Sequence, residues 1–345
     1  MQIAASQLPG SDPETIDLVC RGVTSQLRGD LDGARADYER ALAADPDNST
    51  ALGNLAFLEA RRGRFEAASD LYRRVLRVGP ERSTTLANYG VTEAALGRAE
   101  SARAALERAV NLDARNVAAW DSLARLHLLA GRFGDAIEAW CAALAAAPLE
   151  PALHSALASA LVAVRRLNEA DEHLRHAARL APEDGSIWAQ LGVVLLLRKD
   201  FGSATDALTR ALELRPEDVA TRRRLAQVHL ACGREADAVQ ELERALVAAP
   251  GCTAAEVDLA VIALAHGESA AALERLDRAL AVEPPGGPTG ADWARAAFHR
   301  GLALARLDRR DEAAAALEAV AQGPSEIYAP RAAAILEHER SEHAV

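Results

Sequence analysis

An all-α fold, an α-solenoid of antiparallel helix hairpins in 34-residue repeats, is predicted by three observations. Proline recurs at Pro46, Pro80, Pro148, Pro182, Pro216, Pro250 and Pro284, always 34 residues apart except for one gap of 68, where Ala114 holds the mark. Twelve residues before every mark stands an alanine: Ala34, Ala68, Ala102, Ala136, Ala170, Ala204, Ala238 and Ala272. Between marks, the apolar residues fall into two runs at helical spacing. A fixed period in this range means small supersecondary units, each needing its neighbours to complete a core.

The elements follow in chain order. Residues 1–14 read as an N-terminal cap, because Ser11-Asp12-Pro13-Glu14 offers an N-cap and then proline at the first helical position. Eight contiguous units then fill 15–286. In one of them, a helix carrying Leu52, Leu55 and Ala56 runs out at Gly63, a natural left-handed stop. A second helix carries Phe65, Ala68, Tyr72, Val75 and Leu76, and Pro80 ends the unit. The fixed alanine marks a crossing too close for anything larger than a methyl group. A second small position (Gly22, Ala56, Gly90, Ala124, Ala158, Gly192, Ala226, Ala260) behaves alike.

Three departures stand out. Arg165 and Lys199 replace the inter-helix glycine, which predicts strained turns there. Arg222 and Glu256 occupy a slot that is large and aromatic elsewhere, so looser packing is expected in units seven and eight. A Gly/Pro-rich insertion, read as a loop over 287–293, precedes a ninth unit at 294–327 with Gly301, Leu304, Ala313, Leu317 and Val320 in frame. Residues 328–345 read as a C-terminal capping helix, with Ile335 and Leu336 facing in and Glu337, Glu339, Arg340 and Glu342 facing water.

Bulk composition narrows function. The net charge of −11 argues against nucleic acid and against an anionic membrane surface. No apolar run approaches a membrane span, the longest being Val193 to Leu197. Four cysteines without CxxC spacing read as reduced thiols, hence a cytoplasmic protein. Lys199 is the only lysine, a bias that suggests GC-rich coding and a bacterial source. There is no GxGxxG, P-loop, HExxH or GxSxG, so no enzyme activity, cofactor or metal is expected. His173 and His176 share a helix face, but no third ligand has a recognisable spacing, and they read as surface residues. Glu59, Glu93 and His127 fall at one repeat position in successive units and read as ion-paired with nearby arginines such as Arg62.

The order W/L-x2-L-G/A, A-x3-Y/L-x2-A, P in a 34-residue frame resembles the tetratricopeptide repeat, as in Trp120, Leu123, Ala124, Gly131, Ala136, Trp140, Ala143 and Pro148. The resemblance covers about nine repeats and implies a right-handed superhelix. It also implies that the first helix of each unit lines a concave groove at its second, fifth, ninth, twelfth and thirteenth positions. Those positions hold the apolar Phe57, Val91, Leu128, Leu129, Val162, Val193, Leu196, Leu197, Leu230, Val257, Val261, Leu264, Phe298 and Leu302. The charged members are Arg61, Arg125, Arg223, Arg295 and Arg306 against Asp121 alone.

An apolar strip with isolated positive points is the signature of a binding surface. The reading is a non-catalytic interaction scaffold or adaptor that takes an apolar, acid-flanked protein segment. Self-association is a further possibility, without nucleic acid or membrane insertion. Two alternatives stay open: an accessory subunit of a glycosyl- or sulfotransferase-type assembly, and a peptide-sensing regulator. Asn54 and Asn88 match the asparagine ladder of sugar-transferase members, but Ser122 and Ala156 break it.

Overall fold

The computed structural model describes residues 12–281 and 290–342. Among them are nineteen α-helices and no strand. The chain divides into two compact units, one ending at Leu180 and the other beginning at Ala181. The first holds five hairpins: α1 Pro13–Leu27 with α2 Leu31–Ala44, α3 Ser49–Arg61 with α4 Phe65–Val78, α5 Ser83–Ala95 with α6 Ala99–Leu112, α7 Val117–Leu129 with α8 Phe133–Ala146, and α9 Pro151–Ala163 with α10 Leu167–Leu180. The second holds α11 Gly185–Leu197 with α12 Phe201–Leu214, α13 Val219–Ala231 with α14 Glu235–Ala248, α15 Thr253–Ala265 with α16 Ser269–Ala281, α17 Ala291–Arg306 with α18 Arg310–Ala321, and a last helix α19 Tyr328–Glu342. Within each unit, successive hairpins stack. Ser11 of the expected N-terminal cap, Pro284 and residues 287–289 of the expected loop lie outside the described residues, whereas 291–293, expected in that loop, belong to the first turn of α17.

The periodic small residues sit where helices cross. All eight fixed alanines are completely buried. The second small position meets a large side chain from the other helix of its own hairpin: a Cβ on Gly22 would strike the Tyr38 ring, on Gly90 Leu106, and on Gly301 Leu317. Burying the large partner against a bare backbone lets interior packing density be reached at a short interaxial distance.

Turns and caps are equally regular. Gly29, Gly63, Gly97, Gly131, Gly233 and Gly267 adopt positive φ between the helices of their hairpins. Arg165, Lys199 and Asp308 are forced into the same left-handed region at φ 63, 62 and 59. The strain expected at Arg165 and Lys199 is present, and Asp308 adds a third case. Two residues after the proline mark, Asn48, Asn116, Asp184 and Asp218 accept a backbone N–H and cap the next hairpin's first helix. At the chain start, Asp12 precedes Pro13 as expected but makes no side-chain capping bond.

In units seven and eight the slot is filled by paired charges, although Arg222 Nε is buried without a hydrogen-bond partner. Arg222 donates to Glu241 Oε2 at 2.9 Å and to the Pro216 carbonyl at 2.8 Å. Trp120, His154 and Trp188, at the same repeat position, each bond the carbonyl six residues back. Arg222 therefore keeps the bond that the aromatic ring makes and adds a charge pair. Glu256, buried in the next unit, is held by Arg275 at 3.1 Å and Arg278 at 3.0 Å. The apolar slot has been exchanged for a paired polar one, which is tolerated because each buried carboxylate is satisfied.

Candidate interaction surface

In the first unit the leading helices of neighbouring hairpins meet side by side, α1 on α3, α3 on α5 and α5 on α7. Their free faces carry the positions expected to bind. Val91 is exposed, and Leu129 is 87% exposed. Phe57, Leu128 and Val162 are half-buried, each offering part of its surface. Arg61 and Arg125 are exposed. Asp121 is half-buried and doubly held, accepting from Arg125 Nε at 2.9 Å and from Trp140 Nε1 at 2.8 Å.

Charge on these faces is sorted. The helices α3, α5, α7 and α9 contain only three carboxylates, Glu59, Glu93 and Asp121. Glu59 is 4% exposed and lies 3.2 Å from Arg64 and 3.5 Å from Arg35. Glu93 is 1% exposed; it accepts from Ser69 Oγ at 2.6 Å and pairs with Arg98 at 3.3 Å. Burial alone would raise the Glu93 carboxyl, but hydrogen bonds from Ser69, Ser101 and Arg98, with the charge of Arg73, hold it below the usual range. His127, next in the column, accepts from Arg132 Nε at 3.0 Å. Burial and the Arg132 charge keep its imidazole below the ordinary range. The column is a set of internal ion pairs and hydrogen bonds. The exposed side of these helices therefore combines apolar side chains and arginine with no unengaged carboxylate.

The second unit differs. Val193 and Leu196 are half-buried, while Leu197 and Leu230 are partly open. Val261 and Leu302 are half-buried. Val257, Leu264 and Phe298, expected on an open wall, are buried instead, Leu264 and Phe298 to 6% and 7% exposure. Val257 and Leu264 belong to the core formed with Leu273, Leu276 and Leu304. Phe298 is covered by Leu317, Leu336 and Tyr328, because α19 packs back onto α17 and α18.

The arginines of this unit are engaged too. Arg223 Nε on α13 and Arg295 Nη2 on α17 bond the two oxygens of Asp258 on α15, at 2.9 and 2.6 Å. Arg306 donates to the Leu264 carbonyl. The expected excess of five arginines over one acid omitted Asp258, which stands one residue off the predicted lining positions. Its signal was available only as an acid one helical step from Val257, which periodicity alone does not mark.

Among the described residues no three or more histidine, cysteine, aspartate or glutamate side chains are grouped to hold a metal ion. All four cysteines are free. No described helix is long and apolar enough to cross a membrane.

A chain of stacked helix hairpins with these repeat positions is a helical-repeat protein. The chain belongs to the tetratricopeptide-repeat family: the family described as cilia and flagella-associated protein 70 C-terminal domain matches residues 16–223, and tetratricopeptide-repeat families match 195–256 and 257–327. No curated protein matches the chain. Among solved structures, the C-terminal part of a TPR repeat-containing protein from Cytophaga hutchinsonii is similar with a TM-score of 0.59 at 13% identity, over 68% of this chain and 96% of that one. PilF from Pseudomonas aeruginosa is similar with a TM-score of 0.54 at 18% identity, over 63% and 97%. The APC/C hetero-tetramer Cut9–Hcn1 gives 0.52 at 19% identity, over 87% of this chain and 57% of that one. At such identities the likeness is one of fold.

Proposed function

We propose that this protein is a non-catalytic interaction scaffold that holds an apolar, acid-flanked protein segment on the leading helices of its hairpins. The reading belongs to a bacterial cytoplasmic adaptor, a source suggested by the single lysine and a compartment consistent with four free cysteines. One observation carries the choice of ligand. On α3, α5, α7 and α9 every carboxylate is buried or already bonded, while Arg61, Arg125, Val91 and Leu129 face solvent. A protein of net charge −11 thus keeps one face free of available negative charge. Segments with carboxylates beside apolar anchors gain both terms there, and basic ones are disfavoured.

An accessory role beside a catalytic partner is less well supported, since Ser122 and Ala156 interrupt the asparagine ladder that such a role would use. The test is a peptide array of apolar dodecamers flanked by glutamate or by lysine, probed with the full chain. Preferential capture of the glutamate-flanked set, lost in a double variant Arg61→Glu, Arg125→Glu of unchanged helicity, supports the reading. Equal capture of both sets refutes it.

A further inference from the structure

The α9–α10 turn breaks a rule that the other turns of its unit keep. Gly29, Gly63, Gly97 and Gly131 hold the left-handed position in the first four hairpins, and in the fifth it falls to Arg165 at φ 63. A Cβ makes that conformation costly, and glycine would relieve it. The fold gains nothing visible in return. Arg165 is exposed, and its side chain makes no hydrogen bond or ion pair among the described residues. Strained backbone is retained where the side chain it carries serves a site.

The surrounding charges sharpen the contrast. Arg166 takes both oxygens of Glu169, at 2.6 and 2.5 Å, so the carboxylate beside this turn is spent. In the three preceding turns the arginines are engaged. Arg62 pairs with Asp32, Arg64 lies 3.2 Å from Glu59, Arg98 lies 2.8 Å from Glu66, and Arg132 donates to His127 at 3.0 Å. Asp308, forced into the same backbone region, is paired with Arg310 at 2.9 Å. Arg165 thus stands as a cation without a carboxylate in a protein of net charge −11.

Apolar side chains open at the same end of these helices. Leu129, the last residue of α7, is the most exposed large apolar side chain among the described residues. Val164, also exposed, directly precedes Arg165, and Leu128 and Val162 are half-buried. The two hairpins stack through α8 and α9. No carboxylate competes there: α9 contains none, and Asp121 of α7 is held by Arg125 and Trp140.

We propose that Arg165 is a specificity-determining contact that takes a carboxylate on one flank of an apolar protein segment anchored on Leu128, Leu129, Val162 and Val164, a role that rests on the α3–α9 face being the docking face. A guanidinium meets a carboxylate with two parallel hydrogen bonds, and apolar contacts that exclude water strengthen the pair. Glycine at this turn would ease the free protein and leave that flank unrecognised.

The experiment titrates the full chain with fluorescein-labelled apolar dodecamers carrying glutamate at both ends, at the N-terminal end alone or at the C-terminal end alone. Arg165→Asn keeps a residue that tolerates left-handed backbone, and Arg165→Gly removes the strain. Both variants should bind the doubly flanked peptide about tenfold more weakly than the unaltered chain, with Tm held in the first and raised in the second. The peptide lacking the flank that Arg165 contacts should bind all three proteins alike, the mark of a direct pair. Lys199→Gly, in the other compact unit, relieves the same strain at φ 62 and should leave binding unchanged. Equal binding of the doubly flanked peptide by Arg165→Asn and the unaltered chain overturns the proposal, as does a loss of the same size in Lys199→Gly. In either case the docking face itself stands if Arg61→Glu, Arg125→Glu still abolishes capture. An unaltered chain that takes glutamate- and lysine-flanked peptides equally overturns the face and this contact together.

Discussion

A methyl group added to Gly192 would stand 2.5 Å from Leu208 Cγ, so α11 and α12 meet where only a hydrogen atom fits. Gly53, in the middle of α3, has open space around the same added atom. The two glycines should therefore respond oppositely to one substitution. Gly192→Ala should lose about 1–3 kcal/mol, because Leu208 must leave its rotamer or the helices must part. Gly53→Ala should gain about 0.5–1 kcal/mol from helix propensity. Urea unfolding of both variants measures this; a shift of the same sign in both would mean that the α11–α12 crossing yields freely.

The fixed alanine is tested in the fifth hairpin. Ala170 is fully buried, while Glu172, two residues on, faces solvent. Ala170→Leu should cost about 1–3 kcal/mol by overpacking, and Glu172→Leu should be near neutral. Thermal melts of the pair decide it, and coincident melts would place the crossing elsewhere.

Arg165 and Lys199 sit at φ 63 and 62, a region that strains a residue bearing a Cβ. Arg165→Gly and Lys199→Gly should each stabilise by about 0.5–1 kcal/mol, the relief of strain outweighing the freer unfolded chain. The reverse change, Gly131→Lys at φ 71, should destabilise by about 1 kcal/mol. Should the glycine variants melt earlier instead, the side chains of Arg165 and Lys199 contribute more than their backbone costs.

The repeat was legible because its cause is local. A helix crossing needs a small residue, a hairpin turn needs left-handed backbone, and a helix end tolerates proline, so each leaves a mark at a fixed interval. What could not be read were pairings between hairpins. Arg223 looks like a free anchor until Asp258, 35 residues later, is brought beside it. Phe298 looks like an open groove position until α19 returns to cover it. Arg222 looks like a packing defect until Glu241 and the Pro216 carbonyl are seen to receive it. Periodicity fixes which face a residue is on, and only the stacked neighbours decide what stands opposite.

Acid should destabilise the fold earlier than its carboxylates alone would dictate. His127, His154, His173, His229 and His299 are all held below the ordinary histidine value, chiefly by burial. His299 is the extreme case, lowered from 6.5 to about 4, with Arg295 and Arg331 adding to burial. Above about pH 6.5 both folded and unfolded chains keep these rings neutral, and they contribute no pH dependence. As the pH falls below that value, the unfolded chain binds protons that the folded chain refuses, so stability declines. For His299 the decline continues to about pH 4 and totals roughly 3 kcal/mol. His299→Gln should flatten the stability–pH slope between pH 6.5 and 5 by about one proton, read from urea midpoints. An unaltered slope would assign the acid lability to other groups.

The two kinds of arginine on the leading helices should separate cleanly. Arg125 is exposed and reaches only Asp121 on its own helix, so Arg125→Glu leaves the packing intact. Arg223 is half-buried and tied through Asp258 to Arg295, so Arg223→Glu sets two carboxylates against each other between α13 and α15. Charged hydrogen bonds of this kind are worth about 1.5–3 kcal/mol each. Arg223→Glu should therefore lower Tm by several degrees, whereas Arg125→Glu, whose new carboxylate meets Asp121 only across one exposed helix turn, should cost no more than about 0.2–0.5 kcal/mol and move Tm far less. Capture of glutamate-flanked peptides should show the converse, falling about tenfold with Arg125→Glu. Arg210→Glu, on the second helix of its hairpin and paired with Glu213 and Glu183, serves as the control for nonspecific charge. If that control lowers peptide capture as much as Arg125→Glu, recognition does not use the leading helices. If Arg223→Glu weakens capture without moving Tm, Arg223 is a ligand anchor and its bond to Asp258 is one that a partner's carboxylate replaces.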